Sequence, residues 1–457
     1  MKEGKTLYLL FEQLEPLSLK ALKLLWSILP QSRLVGGCVR DILAHQLPIT
    51  DIDMATPQPP EEVMHLLRVA GIHVIPTGIH HGTVTAVVEG IPYEITTLRR
   101  DEETDGRHAR VCWTTDWKED ALRRDFTINA LFMDCNGMVY DYVGGQADLE
   151  LGIVRFVGDA TIRIREDALR ILRYFRFYAR FSCHRQDYYK DYYDKSALQS
   201  IRNLSSLVCG LSVERVWSEL KRILYGPNIV ETLRLMEKTG VLAHVFPEGV
   251  DLNRLESLCA LGISPLNRSH QALLQLAAIV DQPKQVAKRL KFSREESRFL
   301  CAVSKEFSQE EKQALTHHEC FIQKNALRAL LFAESKDILE GRLRLAQCKQ
   351  HKGVQNCSSK KSRDESYSNN NFEQQNFFRA IALLATMQKP EFPLAGRDVI
   401  AMGLQSGFYV GVVLERVRQW WSAGGCLADR EACLRKLAKV IQQDKYSKPP
   451  KNFDKDL

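Results

Sequence analysis

No Cys-x-x-Cys pair occurs in the 457 residues, and no histidine cluster at zinc spacing stands beside the 12 scattered cysteines. That excludes the common structural zinc modules and a redox dithiol, so the thiols are expected to be free and buried. The adjacent pairs His80-His81 and His317-His318 send successive side chains in different directions and make no ready ligand pair. No His-Asp dipeptide occurs either, which removes the simplest signature of an appended metal-dependent phosphohydrolase. No apolar run approaches the roughly 18 residues that a membrane-spanning helix needs, and Leu7 to Phe11 is too short for a signal sequence. A soluble protein with no membrane partner is expected. Arginine is missing until Arg33 while Glu3, Glu12 and Glu15 come early, the opposite of an Arg-rich, acid-poor presequence, and this points to the cytoplasm.

What is present is enough chain for several packed units, with 45% hydrophobic and 26% charged residues and a mild net charge of +7. That charge permits a polyanionic partner without requiring one. Residues 16 to 28 carry Leu17, Ala21, Leu24, Leu25 and Ile28 at helical spacing, and the short apolar run Leu34-Val35 then meets Gly36-Gly37. Strands are expected around Asp51 to Ala55, His73 to Ile75, Thr83 to Val88 and Tyr93 to Leu98, with Glu89-Gly90 as the turn between the last two. The region to about 155 therefore reads as mixed α/β. Beyond it apolar residues recur every three or four positions, which predicts an all-α remainder. The Ser/Asn/Gln/Lys-rich stretch Lys352 to Gln375 has the composition of a mobile insertion, and Asp444 to Leu457 that of a frayed end.

The first chemical constellation is Leu34-Val-Gly-Gly-Cys-Val-Arg-Asp41, followed ten residues later by Asp51-Ile-Asp53. Two glycines between a strand and a helix let backbone N–H groups approach an anion, and Arg40 adds positive charge. Side chains two apart on a strand share a face, so Asp51 and Asp53 can hold one divalent cation. Mg²⁺ suits hard carboxylate oxygens and substrate phosphates. Each part alone is commonplace. Their order, a phosphate-cradling turn, a helix and a same-face acid pair within 20 residues, meets three separate requirements of nucleotidyl transfer. Glu94, among apolar and β-branched neighbours, is the candidate third acid; its bland alternative is an exposed acid on an edge strand.

Six arginines fall between Arg163 and Arg180. Arg170, Arg173, Arg176 and Arg180 form one slanting helical stripe, while Ile164, Ala168, Ile171 and Phe175 line another face. A solvated basic face is one reading. The chemistry of bases offers a sharper one, because cytosine and adenine each present an amino donor beside a ring-nitrogen acceptor. A carboxylate plus a guanidinium, here Asp167 and Arg170, can accept from the first and donate to the second while opposing uracil and guanine. Such a pocket selects two bases without a template.

With the ordered block Arg123-Arg-Asp-Phe-Thr-Ile-Asn-Ala-Leu131, then Tyr140-Asp-Tyr-Val-Gly-Gly145, then Glu166-Asp-Ala-Leu-Arg170, the chain resembles the class II nucleotidyltransferases, the family of CCA-adding enzymes and bacterial poly(A) polymerases. The resemblance is continuous from about Leu34 to Phe181 and weaker through Leu211-Ser-Val-Glu-Arg-Val-Trp-Ser-Glu-Leu220 and Gly240-Val-Leu. It implies an α+β fold: a polymerase-β-like nucleotidyltransferase head at 30–155, a helical neck with the base-reading helix and an RNA-binding region at 156–250, and a helical body and tail at 251–457 carrying the insertion at 352–375. It further implies Gly36, Gly37 and Arg40 at the nucleotide, Asp51 and Asp53 on Mg²⁺, Glu94 as a further active-site acid, and Arg124 on the triphosphate. Asp125 and Asn129 would lie near the ribose, Asp167 and Arg170 would read the base, and Arg173 and Arg176 would serve the nucleotide and its phosphates.

Within the family, Thr77-Gly-Ile-His-His-Gly-Thr-Val-Thr85, running on to Glu94-Ile-Thr-Thr-Leu-Arg99, is similar to the tRNA-specific enzymes and lacks the Arg/Lys-rich strand of bacterial poly(A) polymerases. Asp105-Gly-Arg-His-Ala-Arg-Val111 is similar to the flexible loop of enzymes that add the terminal A. The resemblance thus favours template-independent addition of CCA to the 3′ end of tRNA from CTP and ATP. An A-adding or poly(A) polymerase is the nearest alternative, and a catalytically silent RNA-binding homologue is a more distant one.

Overall fold

Leu34 and Val35 are adjacent on one short strand, and their side chains enter two different apolar cores. That alternation, repeated by Met54 and Ala55 and by Met133 and Phe132, is the period of two that a sheet covered on both faces requires. The structure, a computed structural model, describes residues 16–46, 48–49, 51–105, 108–182, 193–262, 266–349 and 375–446. It divides into two compact units, residues 1–249 and 250–457.

The first unit is α+β. Helix α1 (Pro16–Ile28) leads into β1 (Arg33–Val35), α2 (Gly37–Leu43), β2 (Asp53–Thr56), α3 (Pro60–Val69), β3 (His73–Gly78), β4 (Thr83–Val88), β5 (Ile91–Thr97), β6 (Arg99–Asp105) and β7 (His108–Trp113). Then come α4 (Trp117–Leu122), β8 (Leu131–Met133), β9 (Val139–Asp141), α5 (Gly145–Leu151), α6 (Ala160–Glu166), α7 (Leu169–Phe181), α8 (Lys195–Leu204) and α9 (Val213–Leu224). Seven strands form one sheet in the order β3-β4-β5-β2-β1-β8-β9, antiparallel except for the central β2–β5 pair. Helices α1, α2 and α3 send Leu22, Leu25, Val39, Ile42, Val63 and Leu67 onto one face. The predicted turn between β4 and β5 has Glu89 and Gly90 both at positive φ, the backbone of a two-residue hairpin loop that matches strand twist.

Several expectations need correction. Leu24, placed on the inward face of α1, is 45% exposed, and the buried stripe instead runs through Ala21, Leu22, Leu25 and Trp26. The segment read as a flexible loop around Asp105 to Val111 contains a two-stranded antiparallel ladder of β6 and β7, with Gly106 and Arg107 outside the described residues. Arg170, Arg173, Arg176 and Arg180 do share one helix, α7, but Arg163, Ile164 and Arg165 lie on a separate helix, α6, because Asp167 is extended (φ −153°, ψ 106°) between the two. Of the ten described cysteines, all free, only Cys38, Cys348 and Cys433 are buried, while Cys135, Cys209 and Cys259 are exposed. The polar stretch 352–374 lies outside the described residues.

The Gly144-Gly145 pair shows why that motif is tight. Asp141 accepts hydrogen bonds from the backbone N–H groups of Val143, Gly144, Gly145 and Gln146. A Cβ on Gly145 would stand 2.1 Å from the carbonyl oxygen of Thr127, in the turn that carries Asn129. Gly145→Ala is therefore expected to cost about 1–3 kcal/mol through this overlap, read as a fall of several degrees in melting temperature.

In the second unit, described residues after Val250 are helical between Leu252 and Tyr446 with no strand. Its apolar cores include one around Leu327, Leu339, Leu343 and Phe377 and another around Val413, Val417, Trp421 and Leu437. Among the described residues no helix is long and apolar enough to cross a membrane.

Candidate active site

Parallel pairing of β2 with β5 sets Asp53 opposite Glu94. Tyr93 and Ile95 enter the same core as Met54, so Glu94 and Asp53, one residue out of phase with them, share the other face. Asp51 is two residues before Asp53, ahead of the strand proper, and exposed. Glu94 is exposed too, yet β5 is a central strand, so the edge-strand alternative does not apply. The Asp53 carboxyl is pushed up to about 6, first by burial, then by the charges of Glu94 and Asp51, with Arg124 pulling the other way. Three acids repelling one another, offering only oxygen donors, fit a hard divalent cation that would relieve the crowding. Among the described residues no group of three potential ligands closes into a cage. Two carboxylates with the remaining positions left to substrate phosphates and water is the arrangement such a cation commonly takes.

Beside the acids, Gly36 ends β1 with φ +70° and ψ −120°, a backbone conformation that a Cβ makes costly. A Cβ there would also meet Arg124 Nη1 at 3.4 Å and the Asn129 carbonyl at 3.5 Å. Glycine thus lets Arg124 and the Thr127–Asn129 turn close on the strand end. Arg40 is buried, and burial lowers its pKa. Its guanidinium lies 4.9 Å from the ring centroids of Phe177 and of Phe181 on α7.

From Arg40 a chain of charged contacts leads along α7. Arg40 donates through Nη1 to Asn129 and through Nε to Asp41 at 2.9 Å. Asn129 donates to Asp125 Oδ1 at 3.0 Å, and Arg173 Nε donates to Asp125 Oδ2 at 2.7 Å. Burial alone would raise the Asp125 carboxyl, but the Arg173 charge and the Asn129 hydrogen bond outweigh it and hold it below the ordinary carboxylate range. Arg180 returns to Asp41 at 3.1 Å, and Arg176 pairs with the buried Glu219 of α9 at 3.0 Å. Burial brings the Arg176 guanidinium down to about 10. The stripe is therefore wired into α2, the segment at Asp125, α6 and α9, unlike a solvated basic face.

Arg170 donates its backbone N–H to the Asp167 carbonyl at 3.0 Å, but the two side chains take other partners. Asp167 Oδ1 accepts from the Leu169 N–H, capping α7, and Oδ2 accepts from Arg215 at 2.8 Å. Arg170 donates to Glu166 and to the Arg163 carbonyl. Both are partly exposed. The structure brings Gly36, Arg40, Arg124, Asp125, Asn129, Arg173 and the acids into one network, while Arg176 turns toward α9. Sequence reasoning missed Asp41, Asp120, Glu166, Arg215 and Glu219, the acids and the arginine that hold the predicted residues. For Asp120 and Glu166 the signal was present as spacings of three and four to arginines. For Glu219 and Arg215 the partners are 43 and 48 residues distant, beyond local pattern.

Comparison with known proteins fits this geometry. Residues 32–155 match the family described as "Poly A polymerase head domain", and residues 194–252 match "Probable RNA and SrmB- binding site of polymerase A". The chain is 34% identical over 415 residues to the mitochondrial CCA tRNA nucleotidyltransferase 1 of Mus musculus, covering 89% of this chain and 86% of that protein. It is 43% identical over 202 residues to the CCA-adding enzyme of Oceanobacillus iheyensis, 44% of this chain and 47% of that one. The crystal structure of the Bacillus stearothermophilus CCA-adding enzyme in complex with CTP superposes with a TM-score of 0.65 and 25% identity, over 95% of this chain and 100% of that one.

Proposed function

The chain belongs to the family of CCA-adding tRNA nucleotidyltransferases and poly(A) polymerases, and from that premise we propose that it adds C, C and A in turn to the 3′ end of tRNA. The reaction consumes CTP and ATP, uses no template and releases pyrophosphate. The observation that carries this reading is the β2–β5 register, which sets Asp53 beside Glu94 on the sheet face where Arg124 acts.

Asp51 and Asp53 would hold Mg²⁺, which when bound supplies Lewis-acid activation of the acceptor 3′-hydroxyl and neutralisation of phosphate charge. Glu94 adds a third negative charge beside them. Gly36 and Gly37 leave the backbone open to the nucleotide, and Arg124 grips the triphosphate and stabilises the departing pyrophosphate. Asp125 and Asn129 face the ribose, held in place by Arg173 and Arg40. Asp167 accepts from the amino group of C or A while Arg170 donates to the ring nitrogen. Arg173, paired with Asp125, and Arg176, drawn toward Glu219 of α9, would serve the nucleotide and its phosphates from this helix. In domain terms the head is 30–155, the neck 156–250, and the body and tail 251–457. The cytoplasm is the compartment proposed here, whereas the Mus musculus relative is named mitochondrial, and imaging of the tagged chain separates the two.

The test supplies tRNA ending before CCA, or ending in CC, with each triphosphate separately. Growth by C on the first substrate and by A on the second is expected, both abolished by EDTA and restored by excess Mg²⁺. Long adenylate tails with no use of CTP would identify a poly(A) polymerase, and RNA binding without product a silent homologue.

A further inference from the structure

Asp120, in α4, is 1% exposed and carries three partners that divide its two oxygens. Oδ1 accepts from the Arg99 backbone N–H at 3.2 Å and from Arg123 Nη2 at 2.6 Å and Nε at 2.8 Å. Oδ2 accepts from Arg124 Nη2 at 2.8 Å and Nε at 3.2 Å. Burial pushes this carboxyl up, but the charges of Arg124 and Arg123 outweigh it, so it stays ionised well below the ordinary carboxylate range. With Oδ1 committed to the first residue of β6 and to Arg123, the carboxylate has no freedom to rotate. Two charge-assisted N–H bonds to the single oxygen Oδ2 hold one edge of the Arg124 guanidinium against Asp120. Nε–H and one N–H of Nη2 are used on that edge, which leaves both N–H groups of Nη1, the atom facing Gly36, without a hydrogen bond among the described residues. Phe132, 5.3 Å from the guanidinium, supports it from the sheet.

We propose that Asp120 is a positioning residue for nucleotidyl transfer: it aims Nη1 of Arg124 at the triphosphate beside the glycine turn and anchors that aim to the base of the β6–β7 ladder. The inference rests on the nucleotidyl-transfer reading above and adds to it the group that makes Arg124 a fixed donor. A guanidinium aimed in advance binds phosphate without first losing rotamer freedom, so release of that edge weakens phosphate binding and leaves base and ribose contacts untouched.

The experiment measures kcat/KM for CTP and ATP, and inhibition by inorganic tripolyphosphate and by CMP, in full-length wild type, Asp120→Asn and Arg123→Met. Asp120→Asn is expected to lower kcat/KM about tenfold for both triphosphates and to weaken tripolyphosphate inhibition by a similar factor, with CMP inhibition unchanged. Arg123→Met, which leaves the Arg124 contact with Asp120 in place, is expected to lower the melting temperature without moving the tripolyphosphate constant. Should Asp120→Asn fail to fold, Asp120→Glu, which keeps the charge one methylene displaced, is expected to show an intermediate tripolyphosphate defect. Wild-type tripolyphosphate inhibition in the soluble Asp120 variant, or equal weakening in Arg123→Met, overturns the proposal. Absence of nucleotide addition by the wild type would instead reject the functional reading and leave the Asp120 question to tripolyphosphate binding alone.

Discussion

Asp53→Ala is expected to reduce incorporation of both C and A by about a thousandfold or more, corresponding to roughly 4 kcal/mol of lost transition-state stabilisation. The size follows from position. Asp53 is the acid closest to the core of the sheet, paired in register with Glu94 and within electrostatic reach of Asp51 and Arg124. On the proposed assignment, its removal would deprive the cation of a ligand at the reacting phosphate, a cost that binding elsewhere in the protein does not restore. The fold should not suffer in proportion. Burial and two neighbouring acids already oppose the ionised form of Asp53, so its charge is not a source of stability, and the melting temperature of Asp53→Ala should equal or exceed that of wild type. Single-turnover extension of tRNA lacking CCA, run beside thermal unfolding, checks both halves. Activity within tenfold of wild type would remove Asp53 from the metal site.

How much of this was legible in the sequence depends on the range of each interaction. Strand β4 was readable to the residue because its apolar and β-branched positions and the Glu89-Gly90 turn are local signals. The order of the sheet was not, since no local pattern says that β2 pairs with β5 across two intervening strands. The phase of α1 was misread because Leu24 and Leu25 carry the same chemistry, and tertiary packing selects the second. The break at Asp167 escaped the helical pattern for a different reason: the apolar and basic positions keep their spacing across it, whereas the Asp167 side chain satisfies the start of α7 from an extended backbone. In the site, the residues proposed to face substrate are named from chemistry and family resemblance. Those that hold them, such as Glu219 behind Arg176, declare themselves only when α9 packs on α7.

Arg170→Ala is expected to erode choice among bases, lowering kcat/KM for CTP by about 10–100-fold while UTP falls less, so that the CTP-to-UTP preference shrinks by a similar factor. One charge-assisted hydrogen bond to the ring nitrogen accounts for that range, at about 1.5–3 kcal/mol. The same guanidinium opposes the ring N–H of uracil, so its loss removes a penalty from UTP as it removes a contact from CTP. Arg170 is the cleaner of the two proposed base-reading residues to test. Asp167 also accepts from the first N–H of α7 and holds Arg215, so its truncation mixes lost recognition with a lost hydrogen bond at the helix start and an unpaired arginine. Arg170 instead pairs with Glu166, which Arg163 continues to neutralise after the substitution. Incorporation of each of the four triphosphates on tRNA lacking CCA gives the preference directly. An unchanged CTP-to-UTP ratio alongside a lower rate would mean that Arg170 supports the helix junction through Glu166 and the Arg163 carbonyl, and that the base is read by other donors.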